Sequence, residues 1–331
     1  MARQRLRIAV TGAGTIGALH AQAVAQSPHA ELAAVCDTDL PRALALATRH
    51  SVAAFPSLDT LLATTPLDAL TVATPDDQHV EITLRALQAG IDVFCEKPLA
   101  TDLQSAQRMV QVATEQDRQL AVNYNRRYGF AYQQAQRWLQ SGRIGSPLHL
   151  GLTVTDRRPD RPADRDANFM LSSLLTHHFD LIRWLGGEVL QVQAKLDRVA
   201  GTSLIDRALF SLRLAGDLTA TITALYRDAQ PRTQEAMEII GSDGRIQIDD
   251  VTREARLVDV SGDRVEIGRP DPFQAGDAFF ATITSHLHDF IRCRARGEPA
   301  PVTGRDGVRG LMIVAAAVQS NHSLQPVEVP P

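Results

Sequence analysis

From Arg5 to about Asn123 the chain alternates short apolar, β-branched runs with longer stretches in which apolar residues recur at helical spacing. Residues 6–10, 32–36, 69–72, 92–95 and 120–122 are short and largely apolar, as strands covered on both faces must be. Segments 16–26, 41–48, 78–89 and 103–116 have the length and spacing of helices, with Pro41 suited to a first helical turn and Gly90 to a stop. This alternation predicts successive β-α units and a doubly wound, mostly parallel sheet.

Beyond Asn125 the pattern changes. Residues 132–140 read as a helix and lead through Ser141-Gly142 to 148–155, after which 157–166 is rich in Arg, Asp and Pro. That run cannot enter a core, so it is expected to be a solvated connection, with a substrate-facing lid as the sharper alternative. A helix over 168–185 stops at Gly186-Gly187, and 189–199, 207–214, 218–226 and 236–240 then read as antiparallel strands joined by turns such as Ala215-Gly216-Asp217. Thr219, Thr221 and Thr223 alternate with Ala220, Ile222 and Ala224, which gives one threonine-lined and one apolar sheet face. Two helices, 277–296 and 303–320, close the chain. The pattern as a whole predicts an α/β fold: a doubly wound, mostly parallel sheet over 1–123, then helices and a mostly antiparallel sheet over 124–331.

Composition narrows the function. The 331 residues suit about two domains of roughly 150 each. Lys and Arg number 34 against 38 Asp and Glu, a net charge of −4 that offers no basic footprint, so neither nucleic acid nor a membrane surface is an expected partner. Cys36, Cys95 and Cys293 lie far apart, and His286 and His288 fall on different faces of a predicted helix, so neither a disulfide framework nor a metal site is expected. With no apolar run near the roughly 20 residues of a membrane span and no secretory apolar stretch near the start, the chain reads as cytoplasmic.

Gly12-Ala13-Gly14-Thr15-Ile16-Gly17 follows a predicted strand and opens a predicted helix. In that context the first glycine permits the tight turn, the second lets a pyrophosphate approach the backbone, and the third lets helix and strand pack closely; the helix N-terminus attracts the phosphates. Asp37 lies 20 residues beyond Gly17, at the end of the second strand, where its carboxylate can accept hydrogen bonds from ribose hydroxyls. A carboxylate there repels a 2′-phosphate, and Thr38 and Asp39 supply no cation, so NAD is favoured over NADP; Arg42, on the next helix, is the residue that could reverse this.

The glycine loop, Ala73-Thr74-Pro75 with His79, Glu96-Lys97-Pro98 and Asn125-Arg126-Arg127-Tyr128 together resemble the Gfo/Idh/MocA oxidoreductases, and the likeness runs from about Arg5 to Val329. The resemblance implies a Rossmann domain followed by an α+β domain whose open sheet often serves in subunit association, hence a homodimer or homotetramer. It implies hydride transfer between a nicotinamide cofactor and a sugar, inositol or related polyol. It adds Ala73, Thr74, Pro75, His79, Glu96 and Lys97 to the cofactor-binding set of Gly12, Gly14, Thr15, Ile16, Gly17, Asp37 and Thr38. Lys97 takes the family's place at the reacting oxygen, where an ammonium can polarise a carbonyl or stabilise an alkoxide. Pro98 fixes the backbone beside it, a cis peptide being one available form.

The same resemblance points to the helix over 168–185 for a second catalytic group. Ser173, His177, Asp180 and Trp184 share one helical face, while His178 is turned away, so His177 is the proton-accepting candidate. Family dehydrogenases often carry an aspartate four residues before this histidine, and here Ser173 stands in its place. Asp180 or Asp166 could orient His177 instead, or Lys97 and His177 could act with water as the relay. Arg126 matches a family position near the substrate pocket, and with Tyr124, Tyr128 and Asp180 it completes the substrate-binding candidates. Two alternatives stand beside the dehydrogenase: a redox-neutral NAD-using lyase or hydrolase, and a non-catalytic NAD(H)-binding regulator.

Overall fold

Short buried strands and amphipathic helices build the first half as the alternation predicts. In the computed structural model, which describes residues 5–155, 168–198, 204–225, 234–251, 253–262, 265–269 and 278–330, the strands are β1 (Leu6–Thr11), β2 (Ala30–Cys36), β3 (Ala53–Phe55), β4 (Ala69–Val72), β5 (Asp92–Cys95) and β6 (Leu120–Val122). They form one parallel sheet in the order β3-β2-β1-β4-β5-β6. The order reverses between β1 and β4, which opens a crevice at the carboxyl ends of those strands. Helices α1 (Thr15–Gln26), α2 (Leu40–His50), α3 (Leu58–Thr64), α4 (His79–Gln88) and α5 (Leu103–Glu115) connect the strands. Local chemistry sets their starts: Asp39, Ser57 and Asp102 cap α2, α3 and α5 by accepting backbone N–H groups of the first turn. The sequence pattern missed β3 and α3, because three residues, two of them alanine, carry little strand signal.

The chain divides into two units, one of Met1–Asn125 with Phe280–Val308, the other of Arg126–Phe279 with Arg309–Pro331. The first crossing from one unit to the other follows Asn125. The expected single domain over 124–331 differs, because residues 280–308 return to the first unit. Their apolar side chains Leu287, Phe290, Ile291 and Ala300 share a core with Ile8, Val10, Val35 and Phe94, and the Phe94 and Phe290 rings lie 5.5 Å apart.

The second unit is a nine-stranded sheet of β7 (Pro147–Thr155), β8 (Val189–Arg198), β9 (Ile205–Leu214), β10 (Thr219–Leu225), β11 (Gln234–Gly241), β12 (Gly244–Ile248), β13 (Ala255–Asp259), β14 (Val265–Gly268) and β15 (Val327–Glu328). Its order is β14-β13-β12-β11-β7-β10-β9-β8-β15, antiparallel throughout except for the β7–β10 pair. Ala220, Ile222 and Ala224 are buried while Thr219 and Thr221 are exposed, as the alternation in β10 requires. The buried face packs with α6 (Phe130–Gln140) and α7 (Thr176–Gly186), the latter through Phe179, whose ring meets Phe210 edge-on at 5.3 Å. Two further helices, α8 (Ala278–Arg296) and α9 (Gly304–Ser323), complete the chain. The helix expected over 168–185 differs in one respect: Met170–Leu175 winds as a π-helix before α7, so a uniform 100° per residue does not hold across Ser173. The Arg- and Asp-rich run 157–166 lies outside the described residues.

Candidate active site

Each glycine of the loop after β1 has a separate steric reason. Gly12 has φ +88°, and a Cβ there would come within 2.4 Å of the Ala73 carbonyl oxygen. A Cβ on Gly17 would lie 1.7 Å from the Gly12 carbonyl oxygen, so the third glycine is what lets α1 pack on the turn. At Gly14 a Cβ would meet nothing within 4 Å. That opening, at the first turn of α1, is the space a phosphate needs to approach backbone N–H donors.

The crevice is a cavity of about 710 Å³. Gly12, Gly14, Thr15 and Ile16 line it from the glycine loop, Asp37 and Thr38 from the end of β2, and Ala73, Thr74 and Pro75 from the end of β4, which brings nine of the predicted cofactor residues together. Asp37 is fixed from both sides: the Ala13 N–H donates to Oδ2 at 2.7 Å and the Asp39 N–H to Oδ1 at 2.8 Å. A glycine cradle open at its second position, facing a held carboxylate, fits an adenine dinucleotide. Sequence reasoning missed the walls formed by Ser57 and Leu58 and by Gln78, Ile82 and Arg85. The last three stand four and three residues apart, a helical stripe that could have been read once α4 was recognised as the cavity's flank.

Gly17, His79, Glu96 and Lys97 do not line this cavity. Gly17 acts through packing. His79 is fully buried, with Nδ1 donating to the Pro98 carbonyl at 2.7 Å and Nε2 to the Thr74 carbonyl at 3.0 Å. Both partners only accept, so the arrangement suits a ring protonated on both nitrogens. Burial opposes that charge, yet Cys95 and the Pro98 carbonyl outweigh it and push the pKa up to about 10. His79 therefore ties the turn after β4 to the turn after β5 rather than pointing into the cavity.

Glu96 accepts from His20 Nε2 at 3.2 Å and from Asn123 Nδ2 at 2.5 Å, and Asn123 in turn accepts from His286 Nδ1 at 2.9 Å. Burial raises the Glu96 pKa, but the His20 and Asn123 hydrogen bonds and the Lys97 charge hold it below the usual range. The backbone N–H of Lys97 lies 3.3 Å from the other Glu96 oxygen, and the Lys97–Pro98 peptide is cis. The structure thus holds the Glu96-Lys97-Pro98 turn through two buried histidines, His20 and His79. His20, three residues after Gly17, carried no signal that separated it from an ordinary helix histidine.

In the second unit the predicted residues are drawn into ion pairs. Asp180, offered as a substrate ligand and as a partner for His177, has zero side-chain exposure and both oxygens on Arg127, at 2.8 and 2.5 Å. Arg126, offered as a substrate ligand, donates from Nε and Nη2 to Glu235 Oε1 at 3.2 and 2.7 Å. Tyr132 donates to the other Glu235 oxygen at 3.3 Å, and His178 Nε2 stands 3.2 Å from Oε1 as a close electrostatic contact rather than an aligned hydrogen bond. Burial raises the Glu235 pKa, but Arg126 and His178 hold it far below the usual carboxylate range. The cause of this closure is general: a buried charge is tolerated only beside its counter-charge. Of the two tyrosine candidates, Tyr124 is fully buried in the first unit and Tyr128 is half-buried in the second. His177 and Ser173 are buried on α7 and on the π-helix before it, and Asp166 lies outside the described residues. Among the described residues no three His, Cys, Asp or Glu side chains converge as a metal site would.

A parallel sheet with this order, a glycine cradle at its switch point and a held carboxylate at the end of β2 define a dinucleotide-binding protein. Residues 6–124 match the family described as oxidoreductase, NAD-binding Rossmann fold, and residues 132–247 match the Gfo/Idh/MocA C-terminal domain. The chain belongs to the Gfo/Idh/MocA oxidoreductase family. It is 30% identical to the inositol 2-dehydrogenase of Acidothermus cellulolyticus, over 96% of this chain and 93% of that one. It is 29% identical to the myo-inositol 2-dehydrogenase of Thermotoga maritima, over 98% of both. A levoglucosan dehydrogenase solved in complex with NADH and levoglucosan shares the fold, with a TM-score of 0.90 at 22% identity over 99% of this chain and 100% of that one.

Proposed function

We propose that this protein is an NAD-dependent dehydrogenase that oxidises a secondary alcohol of an inositol, sugar or related polyol, or reduces the matching ketone. The observation that carries the reading is the cavity in which the glycine cradle opens at Gly14 and faces the fixed carboxylate of Asp37. The inositol dehydrogenases among its full-length relatives support the substrate class. When bound, the nicotinamide ring supplies the acceptor for the carbinol hydrogen and its electron pair. Gly14 and the first turn of α1 receive the pyrophosphate, and Asp37 accepts from the ribose hydroxyls. In this reading Lys97 stabilises negative charge developing on the carbinol oxygen, and His177 accepts the hydroxyl proton. NAD is preferred over NADP because Asp37 repels a 2′-phosphate. The exposed face that carries Thr219, Thr221 and Leu209 suits a homodimer or homotetramer, and this reading assigns the protein to the cytoplasm.

The test is a spectrophotometric screen at 340 nm of inositols, sugars and sugar acids with NAD and, separately, NADP, on wild type, Lys97→Ala and His177→Ala. NAD-linked turnover that falls by about a hundredfold or more in both variants is the expected result. Tight NADH binding with no turnover on any carbinol would overturn the dehydrogenase in favour of the redox-neutral enzyme or the regulator.

A further inference from the structure

The adenosine end of the cavity holds a cation that the NAD reading leaves unexplained. Arg42, on the first turn of α2, lines the same cavity as Asp37 and Thr38. A guanidinium there is what a 2′-phosphate would seek, since its planar donor fork matches phosphate oxygens. Its Nη2 is instead 3.1 Å from Asp39 Oδ2. Arg85, which lines the opposite flank, is likewise held by Asp59 and, at 3.6 Å, by Glu81.

Asp39 does three things at once. Its backbone N–H fixes Asp37 Oδ1 at 2.8 Å, its Oδ1 caps α2 by accepting the Arg42 N–H at 3.1 Å, and its Oδ2 faces the Arg42 guanidinium. The first two need only a backbone amide and a neutral oxygen; the third needs the negative charge. We propose that the charge of Asp39 is a specificity determinant: by occupying Arg42 it denies a 2′-phosphate its counter-ion and so strengthens the preference for NAD set by Asp37. This inference rests on the reading of the cavity as a dinucleotide site.

Asp39→Asn separates these roles, because asparagine caps helices as well as aspartate does and leaves the backbone N–H in place. Both side chains of the pair are about half exposed, so the pair is weak and the change small. The experiment is fluorescence titration of NADH and NADPH into wild type, Asp39→Asn, Arg42→Ala and the double variant, with Asp39→Ser as a second capping replacement. The NADPH affinity relative to NADH should rise about fivefold in Asp39→Asn and in Asp39→Ser, the scale of an exposed ion pair. The double variant should lose that gain, and added salt should shrink it. No gain, or an equal gain without Arg42, overturns the inference while leaving the NAD reading intact. Binding of neither dinucleotide to wild type overturns the NAD reading and this inference with it.

Discussion

The loop after β1 and the cluster around Glu235 treat polar groups in opposite ways. At the glycine loop the chain removes side chains: Gly14 leaves open space at the start of a helix, and Asp37 is held by two backbone N–H groups. A carboxylate oxygen has more than one lone pair, so those contacts fix Asp37 without exhausting it. Around Glu235 charged and polar side chains gather on one another instead, with Arg126 and Tyr132 donating to a carboxylate that is 3% exposed and His178 close beside it. The first arrangement leaves room for a ligand, whereas in the second both carboxylate oxygens are already engaged. Charged residues in a motif therefore identify a site only when their partners are known.

Breaking the closed cluster should have the largest effect. Glu235→Gln leaves the Arg126 guanidinium buried without its counter-charge and should cost about 3–5 kcal/mol of stability in urea melts. A loss under about 1 kcal/mol would mean that the cluster is not closed. Because the folded pKa of Glu235 is depressed, its contribution is complete above the unfolded carboxyl value near 4.3 and is lost as pH falls below it. Wild type should thus lose stability more steeply than Glu235→Gln in acid.

His79 has the opposite sign. Its folded pKa is raised to about 10 from an unfolded value near 6.5, so its contribution is complete below about pH 6.5 and declines as pH rises toward 10. Melting temperatures of wild type should fall across that window, and those of His79→Gln, lower at the outset, should be flatter. Parallel slopes would show that the ring is neutral between its two carbonyls. The smallest effect belongs to the half-exposed Arg143–Glu266 pair at 2.7 Å, where Arg143→Ala should change stability by under about 1 kcal/mol. A larger loss would erase the contrast between buried and exposed pairs.

The two regions also differ in how far they could be read from sequence. Three glycines on a strand–turn–helix and an aspartate twenty residues on are local signals, and the cavity assembles around them. Arg126 and Arg127 are neighbours whose sequence does not say that one pairs with Glu235, 109 positions away, and the other with Asp180, 53 away. Arg126 and Asp180, the charged candidates for substrate contact, were therefore legible as charge but not as paired charge. Residues 280–308 escaped for a related reason. Their helical pattern is plain, but an apolar stripe does not announce which core it will join. Likewise, the spacing of Ser173 and His177 cannot reveal the π-helical turn before α7.

The contrast is tested most directly by titrating NADH into Gly14→Ala and Glu235→Gln while following the melting of each. The added methyl of Gly14→Ala meets no protein atom and its φ of −74° suits alanine, so the variant should melt as wild type does yet bind NADH at least about thirtyfold more weakly. Glu235→Gln should melt far lower and, below its transition, bind NADH as wild type does. NADH affinity unchanged in Gly14→Ala would contradict the account, because the opening at Gly14 would then not be where the dinucleotide phosphates lie.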